Sequence, residues 1–329
     1  MQSINSIEKR IPKISDKNFK NCSLDVFKYQ AKFNKVYNSY LTNLNVEIAA
    51  IKEIDEIPFL PIEFFKNEIV KCDNWQEETV FHSSGTTGQQ KSRHFIKDLG
   101  FYHRNTKLIF ESFYGPLNDH IIVALLPSYL DQSNSSLVSM VSHFMDQSEC
   151  RESTFISKDI NLLEQKTEKA LKLKKKLLLI GISHALLDLS EFGVDLSEAI
   201  IMETGGMKGK RLDITRGDLH KLLCEGFNTS RIHSEYGMSE LMSQAYSLGE
   251  GMFRTSNWMK VMIRDSYDPF SYVKSGKTGG INVIDLANIH SCSFIETKDL
   301  GRETDSGFEV LGRFDNSDVR GCNLMVLQR

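Results

Sequence analysis

Apolar residues recur at two different spacings along the chain. Near the N-terminus the spacing is helical. Phe27, Ala31, Tyr37, Tyr40, Leu41 and Leu44 fall near one face of Leu24–Leu44, with Ser23 placed to cap it, which predicts an amphipathic helix. Pro58 and Pro61 break the chain, and Ile62–Lys71 reads as a second, short helix. Beyond it the pattern changes to short apolar runs bounded by polar turns. These predict strands at Thr79–His82, His120–Leu126, Ser153–Ile156, Leu177–Ile182 and Ala199–Met202. Helical stretches separate them: Asp98–Ser112, Ser135–Met145, Asp159–Lys175 and His184–Leu189. Such alternation predicts an α/β fold with a buried, largely parallel sheet. In the last third the helices give way to strand-like Phe253–Arg264, Gly280–Asp285, Ser293–Thr297 and Gly307–Leu311, with Gly- or Asp-rich turns between them. The expected organisation is an α/β part over about 1–230, a β-rich part over about 231–311 and a tail over 312–329.

Composition narrows the class. The 329 residues carry 40 Lys+Arg against 43 Asp+Glu, with 40% hydrophobic and 25% charged residues. These values exclude collagen-like, disordered and disulfide-scaffold chains, and they offer no basic excess for nucleic acid. The run Lys169–Lys176 ends a predicted helix, where cations complement the helix dipole on a solvated face. The six cysteines (Cys22, Cys72, Cys150, Cys224, Cys292 and Cys322) contain no CxxC pair, which argues against a zinc knuckle or a thioredoxin-type motif. The first twenty residues lack the apolar core of a secretory signal, and no apolar run approaches the ~20 residues of a membrane helix. The expectation is a cytoplasmic protein with free thiols and no membrane span.

The sharpest local feature is His82-Ser83-Ser84-Gly85-Thr86-Thr87-Gly88-Gln89-Gln90-Lys91, directly after a predicted strand. Glycines let backbone N–H groups approach an anion closely, hydroxyls add donors, and an ammonium adds charge. The spacing is not that of a Walker A loop. Read alone, the stretch is equally a polar turn. His82 and His94 flank it, and both phosphate contact and a purely structural role are open to them.

The order SSGTTGxxK resembles the phosphate loop of the adenylate-forming superfamily of acyl-CoA synthetases, luciferases and adenylation domains. Three further segments follow in the superfamily's order: Glu203-Thr204-Gly205-Gly206-Met207 after a strand, Tyr236-Gly237-Met238-Ser239-Glu240, and Asp299-Leu300-Gly301-Arg302 followed by Leu311-Gly312-Arg313-Phe314-Asp315. Ser239 stands where the superfamily has threonine, and Lys298 where it has glycine. The resemblance implies the large N-terminal domain of that fold, with layered parallel sheets, helices and a β-rich subdomain, and it implies ATP and Mg²⁺ as cofactors. It assigns phosphate contacts to Ser83, Ser84, Gly85, Thr86, Thr87, Gly88 and Lys91. Gly205 and Gly206 would lie beside adenine, Tyr236 and Gly237 near it, and Ser239 at the α-phosphate. Glu240 would hold the metal, Asp299 the ribose, and Arg313 the charge near the α-phosphate. Asp315 corresponds to the hinge before the superfamily's small C-terminal domain. Only fourteen residues follow it here, fewer than the ~50 of a domain, so that domain is expected to be lacking.

Short length, Ser92-Arg93-His94 after the loop, Leu126-Pro127-Ser128-Tyr129-Leu130 and Arg320-Gly321-Cys322 near the C-terminus resemble the LuxE-like acyl-protein synthetases. That family activates a fatty or related carboxylic acid as acyl-AMP and passes the acyl group to a cysteine, then to a reductase. The resemblance makes Cys322 the acceptor and an acyl-CoA-reductase-like subunit or an acyl carrier the partner. An incidental cysteine is the competing reading. Two other functions stay open at this point: an acyl-CoA ligase or carrier-protein acylase, and a non-catalytic nucleotide- or acyl-binding subunit. Phe101, Phe110, Phe113 and Met238 read as core or as an acyl pocket, and Asp131 as a gate to it.

Overall fold

The computed structural model describes residues 7–83, 90–126, 134–157, 159–205 and 214–314. Ser84, Gly85, Thr86, Thr87, Gly88, Asp131, Gly206, Asp315 and Cys322 lie outside the described residues.

The N-terminal helical region differs from its expectation in its number of helices, their bounds and their cap. It holds two helices, Asp16–Phe33 and Lys35–Asn43, rather than one. The first begins behind Ser15, whose N–H donates to Asn18 Oδ1 at 2.8 Å. Ser23 is therefore no cap. It lies mid-helix and buried, its hydroxyl returned to the Phe19 carbonyl at 2.9 Å. The break falls at Asn34, which is extended (φ −94, ψ 110). Its Oδ1 accepts from Tyr37 N at 3.0 Å and caps the second helix, while its Nδ2 donates to Ser291 O at 3.0 Å. The apolar stripe runs through the break because both helices face one aromatic cluster. Phe294 meets Phe27 edge-on at 6.1 Å and stacks on Tyr37 at 6.3 Å. Gln30 ties the first helix to the same region, donating to the carbonyls of Asn288 and Ile289 and accepting from Ser293 N. The Ile62–Lys71 helix shrinks to one turn, Phe64–Asn67.

The twelve strands of the main sheet among the described residues run from parallel to antiparallel without a break. In chain order they include β1 (Leu60–Pro61), β4 (His120–Leu125), β5 (Thr154–Phe155), β6 (Lys176–Ile182), β7 (Ile200–Thr204) and β8 (His233–Tyr236). They continue with β9 (Ala245–Ser247), β10 (Met252–Thr255), β11 (Met259–Arg264), β12 (Thr278–Asp285), β13 (Phe294–Thr304) and β14 (Gly307–Arg313). Neighbours β5-β4-β6-β7-β8 pair parallel. From β8 onward, β9-β10-β14-β13-β12-β11 pair antiparallel, and β1 joins β13. The short ribbon of β2 (Thr79–His82) and β3 (Arg93–Ile96) stands apart. The expected strand Phe253–Arg264 is two strands, because the chain turns at Ser256–Trp258 with Met259 N bonded to Ser256 O at 3.1 Å.

Every residue of β4 is buried, and all of β6 except Lys176. Strands covered on both faces lose the polar alternation of a half-exposed strand, so they read as plain apolar runs. The covering helices start on side-chain caps: Asp98 for Leu99–Tyr114, Ser135 for Ser136–Gln147, Asp159 for Ile160–Leu173 and Thr215 for Arg216–Phe227. The helix Ser183–Ser190 packs on the last of these, where Gly226 lies so close that a Cβ would come within 2.6 Å of the Ser190 carbonyl. In open α/β sheets ligands gather at the C-terminal ends of the parallel strands. Here those ends deliver Gly205 after β7 and Gly237 after β8.

Candidate active site

β7 and β8 run side by side, with Glu203 opposite Ser234 and Thr204 opposite Glu235. Gly205 leaves β7 at φ +79, a left-handed conformation that glycine takes without a Cβ penalty. Below it, Glu203 is buried. Burial pushes its carboxyl up, but Arg216 and His220 outweigh this and hold its pKa at about 2. Ser183 donates to its other oxygen at 2.9 Å. Its neighbour on β8 behaves oppositely. Burial, with Glu203 adding to it, pushes Glu235 up to about 7 against the hydrogen bond from the Thr204 hydroxyl. A Cβ at Gly237 would lie 2.3 Å from Glu235 Oε1, so any larger residue would have to displace this carboxyl.

Three segments far apart in sequence meet at the next position. The Tyr236 hydroxyl donates to Asp299 Oδ2 at 2.8 Å, and Arg313 Nε lies 3.3 Å from Asp299 Oδ1. Asp299 and Arg313 face each other across β13 and β14. Burial, and then the Asp299 charge, raise the Tyr236 pKa far above its usual range, so the phenol stays a donor. Arg313 is exposed, whereas the Asp299 carboxylate it pairs with is largely covered.

The turn after β8 carries Ser239 and Glu240, both buried, with the Ser239 hydroxyl donating to Glu240 Oε2 at 2.8 Å. The turn is fixed from several sides. Asp285 accepts from Met242 N, Ser243 N and Ser243 Oγ at 2.7–3.0 Å. Asn105 donates to Met242 O at 2.6 Å. Asn288 Nδ2 donates to Glu240 O at 2.7 Å, and His94 Nδ1 sits 2.8 Å from Ser239 O. His94 Nε2 pairs with Asn288 Oδ1 at 3.0 Å. With both ring nitrogens engaged and the side chain buried, His94 is a structural histidine and does not face phosphate. Asn105, Asp285 and Asn288 escaped sequence reading, since no short spacing links them to the turn they hold.

At the mouth of the β2–β3 ribbon, Ser83 Oγ accepts from Ser92 N at 3.0 Å, and Ser83 N donates to Ser92 O at 3.3 Å. Lys91 is exposed beside this pair. Burial first, then the charges of Lys91 and Arg93, lower the His82 pKa. The strand pairing thus closes both ends of the glycine-rich segment onto one point.

Phe101 and Phe110 are buried, and Phe110 packs against Tyr114, Phe144 and Tyr246, which makes it core. Phe113 and Met238 are half-buried. Among the described residues no group of three or more His, Cys, Asp or Glu side chains could hold a metal ion. Glu240 with the Ser239 hydroxyl still fits Mg²⁺ arriving on phosphates, which keeps its waters and takes only one or two carboxylates from the protein. No helix among the described residues is long and apolar enough to cross a membrane.

The same fold occurs in solved structures of 2-hydroxyisobutyryl-CoA ligase and of MatB. The chain superposes on 2-hydroxyisobutyryl-CoA ligase in complex with 2-HIB-AMP and CoA in the thioesterification state with a TM-score of 0.66, at 12% identity over 96% of this chain and 73% of that one. ATP-bound MatB from Rhodopseudomonas palustris matches with a TM-score of 0.52, at 15% identity over 73% of this chain and 49% of that one. The chain thus spans about half the length of MatB. No curated protein matches the sequence. The family is settled by sequence: residues 12–329 match the family described as acyl-protein synthetase, LuxE, and the chain belongs to it.

Proposed function

We propose that the protein activates a fatty or related carboxylic acid with ATP, forming acyl-AMP and pyrophosphate, and then transfers the acyl group to a protein thiol. The observation that carries this reading is the meeting of Tyr236, Asp299 and Arg313 beside the Ser239–Glu240 turn. A phenol, a carboxylate and a guanidinium from three segments converge at the C-terminal ends of the parallel strands. ATP-bound MatB has the same fold and supports ATP as the nucleotide.

In the first step a carboxylate oxygen of the acid attacks the α-phosphorus, and pyrophosphate leaves. Positioning and charge neutralisation supply most of such a rate. Asp299 accepts hydrogen bonds from the ribose while Tyr236 and Arg313 keep its carboxylate oriented. Arg313 and Lys91 offset the charge on the phosphates, and the Ser239 hydroxyl turns from Glu240 to donate to the α-phosphate. Ser83, Ser84, Gly85, Thr86, Thr87 and Gly88 line the polyphosphate, and Gly205, Gly206 and Gly237 leave room for the base. Mg²⁺, held by Glu240, would neutralise the departing pyrophosphate. In the second step a thiolate, assigned to Cys322, attacks the acyl carbon, AMP leaves, and the thiol proton goes to solvent. An acyl-CoA-reductase-like subunit or an acyl carrier would then take up the acyl group.

ATP–pyrophosphate exchange across a panel of acids tests the first step. Exchange dependent on one class of acid is expected; no exchange with any acid overturns the reading.

A further inference from the structure

The Ser239–Glu240 turn joins β8 to β9 in the main sheet, whereas Ser83 and Ser92 belong to the separate β2–β3 ribbon. One buried side chain joins them. His94 lies on β3, two residues after Ser92, whose backbone closes the ribbon mouth on Ser83. Its Nδ1 lies 2.8 Å from the Ser239 carbonyl, and its Nε2 lies 3.0 Å from Asn288 Oδ1. The same side-chain amide donates through Nδ2 to the Glu240 carbonyl at 2.7 Å. Two successive carbonyls of the turn are therefore held, one by His94 and one by the residue His94 orients. The ring has little freedom to move, since Phe65 packs edge-on against it at 5.8 Å and the residue is 1% exposed. Asn288 is itself fixed, because Gln30 holds its carbonyl at 3.0 Å.

We propose that His94 is a positioning residue for the metal: through Ser239 O and Asn288 it sets the direction of the Glu240 carboxylate relative to the Ser83–Ser92 mouth. The proposal rests on the reading of Glu240 as the carboxylate that holds Mg²⁺. Removing a side chain bonded directly to a metal ligand typically lowers metal affinity about 10–100-fold, and His94 acts one step further out, through the backbone carbonyls of the turn. His94 would never touch nucleotide or metal.

Metal affinity tests this without turnover. Mn²⁺ binding is read by electron paramagnetic resonance of the free ion, with the full chain and a non-hydrolysable ATP analogue. The variants are His94→Ala, His94→Gln and Glu240→Gln, with analogue binding in EDTA measured alongside. Glu240→Gln and His94→Ala are each expected to weaken Mn²⁺ binding by about tenfold or more. His94→Gln should recover part of that loss, because its amide can still donate to Ser239 O. Analogue binding by the two His94 variants in EDTA should stay within about twofold. If Glu240→Gln weakens Mn²⁺ binding while folded His94→Ala binds it as the wild type does, the role of His94 is overturned and the reading of Glu240 survives. If Glu240→Gln binds Mn²⁺ normally, that reading falls and this proposal with it. Should His94→Ala fail to fold, Asn288→Ala and His94→Gln are judged by the same standard: unchanged Mn²⁺ affinity in both overturns the proposal.

Discussion

The Tyr236 hydroxyl and Asp299 Oδ2 lie 2.8 Å apart, although 63 positions separate the two residues. The contact joins the last residue of β8 to the middle of β13, and so ties the parallel side of the sheet to the antiparallel side. On the other side of the carboxylate, Arg313 supplies a partial ion pair. Asp299→Asn keeps the shape and removes the charge. The expected result is a loss of about tenfold in kcat/KM for ATP in pyrophosphate exchange, the scale of one charge-assisted hydrogen bond. The KM for the acid should move less than about twofold. An equal effect on both substrates would show a general disturbance of the site instead of a nucleotide contact.

Glu235 predicts a pH dependence of stability. Its ordinary value is 4.5, and burial raises it to about 7 in the folded protein. Below 4.5 both states hold the proton. Between 4.5 and 7 the unfolded chain releases it and the folded chain does not, so stability falls as pH rises and levels off above 7. The whole window is worth on the order of 3 kcal/mol. Glu235→Gln cannot ionise and can still accept from Thr204. Thermal unfolding of the two proteins between pH 5 and pH 8.5 should show a smaller decline in the variant. Parallel curves would mean that Glu235 is ionised in the native state.

The parts of the fold legible in the sequence are those set by local pattern. Thr79–His82 is found where the pattern put it, and the runs that became β4, β6 and β7 shifted by one or two residues, because a strand buried on both faces leaves an unbroken apolar run. The break at Asn34 left no such trace. Both helices continue one stripe, and the interruption is decided by Ser291, 257 positions away. The same limit applies at the site. Tyr236, Asp299 and Arg313 stood out through motif resemblance, and their mutual contact depends on the pairing of β13 with β14. Asp285 and Asn288 were silent, since each meets its turn only once the antiparallel side has folded. The raised pKa of Glu235 comes from tertiary burial, which spacing does not encode.

Gly280 is expected to tolerate no side chain. Arg264 runs beneath it with its guanidinium buried, bonded to Ile281 O at 3.0 Å, Asn282 Oδ1 at 2.9 Å and Thr297 O at 2.8 Å. A Cβ at Gly280 would come within 2.4 Å of Arg264 Cζ. The cation cannot step aside without giving up those carbonyls and its contact over the Phe314 ring at 5.4 Å. Gly280→Ala should therefore cost about 1–3 kcal/mol, the usual range for overpacking a filled interior. Urea denaturation measures it, and a change below about 0.5 kcal/mol would show that the guanidinium relaxes freely.

Cys322 provides the test of where the acyl group goes. An acyl-AMP is a mixed anhydride, and its acyl carbon is open to attack by a thiolate. A serine hydroxyl at the same place is a far weaker nucleophile without a base to activate it. Incubation with radiolabelled acid, ATP and Mg²⁺ should label the wild-type chain through a bond that neutral hydroxylamine cleaves, as it does thioesters. Cys322→Ser should lose that label almost completely. Pyrophosphate exchange on the same preparation tells a lost acceptor from a lost fold. Labelling of Cys322→Ser at the wild-type level would remove Cys322 from the reaction and point to one of the five other cysteines. Of these, Cys22, Cys72 and Cys292 are buried, and burial pushes the thiols of Cys72 and Cys292 up, away from the thiolate that attack requires. Cys150 and Cys224 are half-buried, so they would be the next to replace.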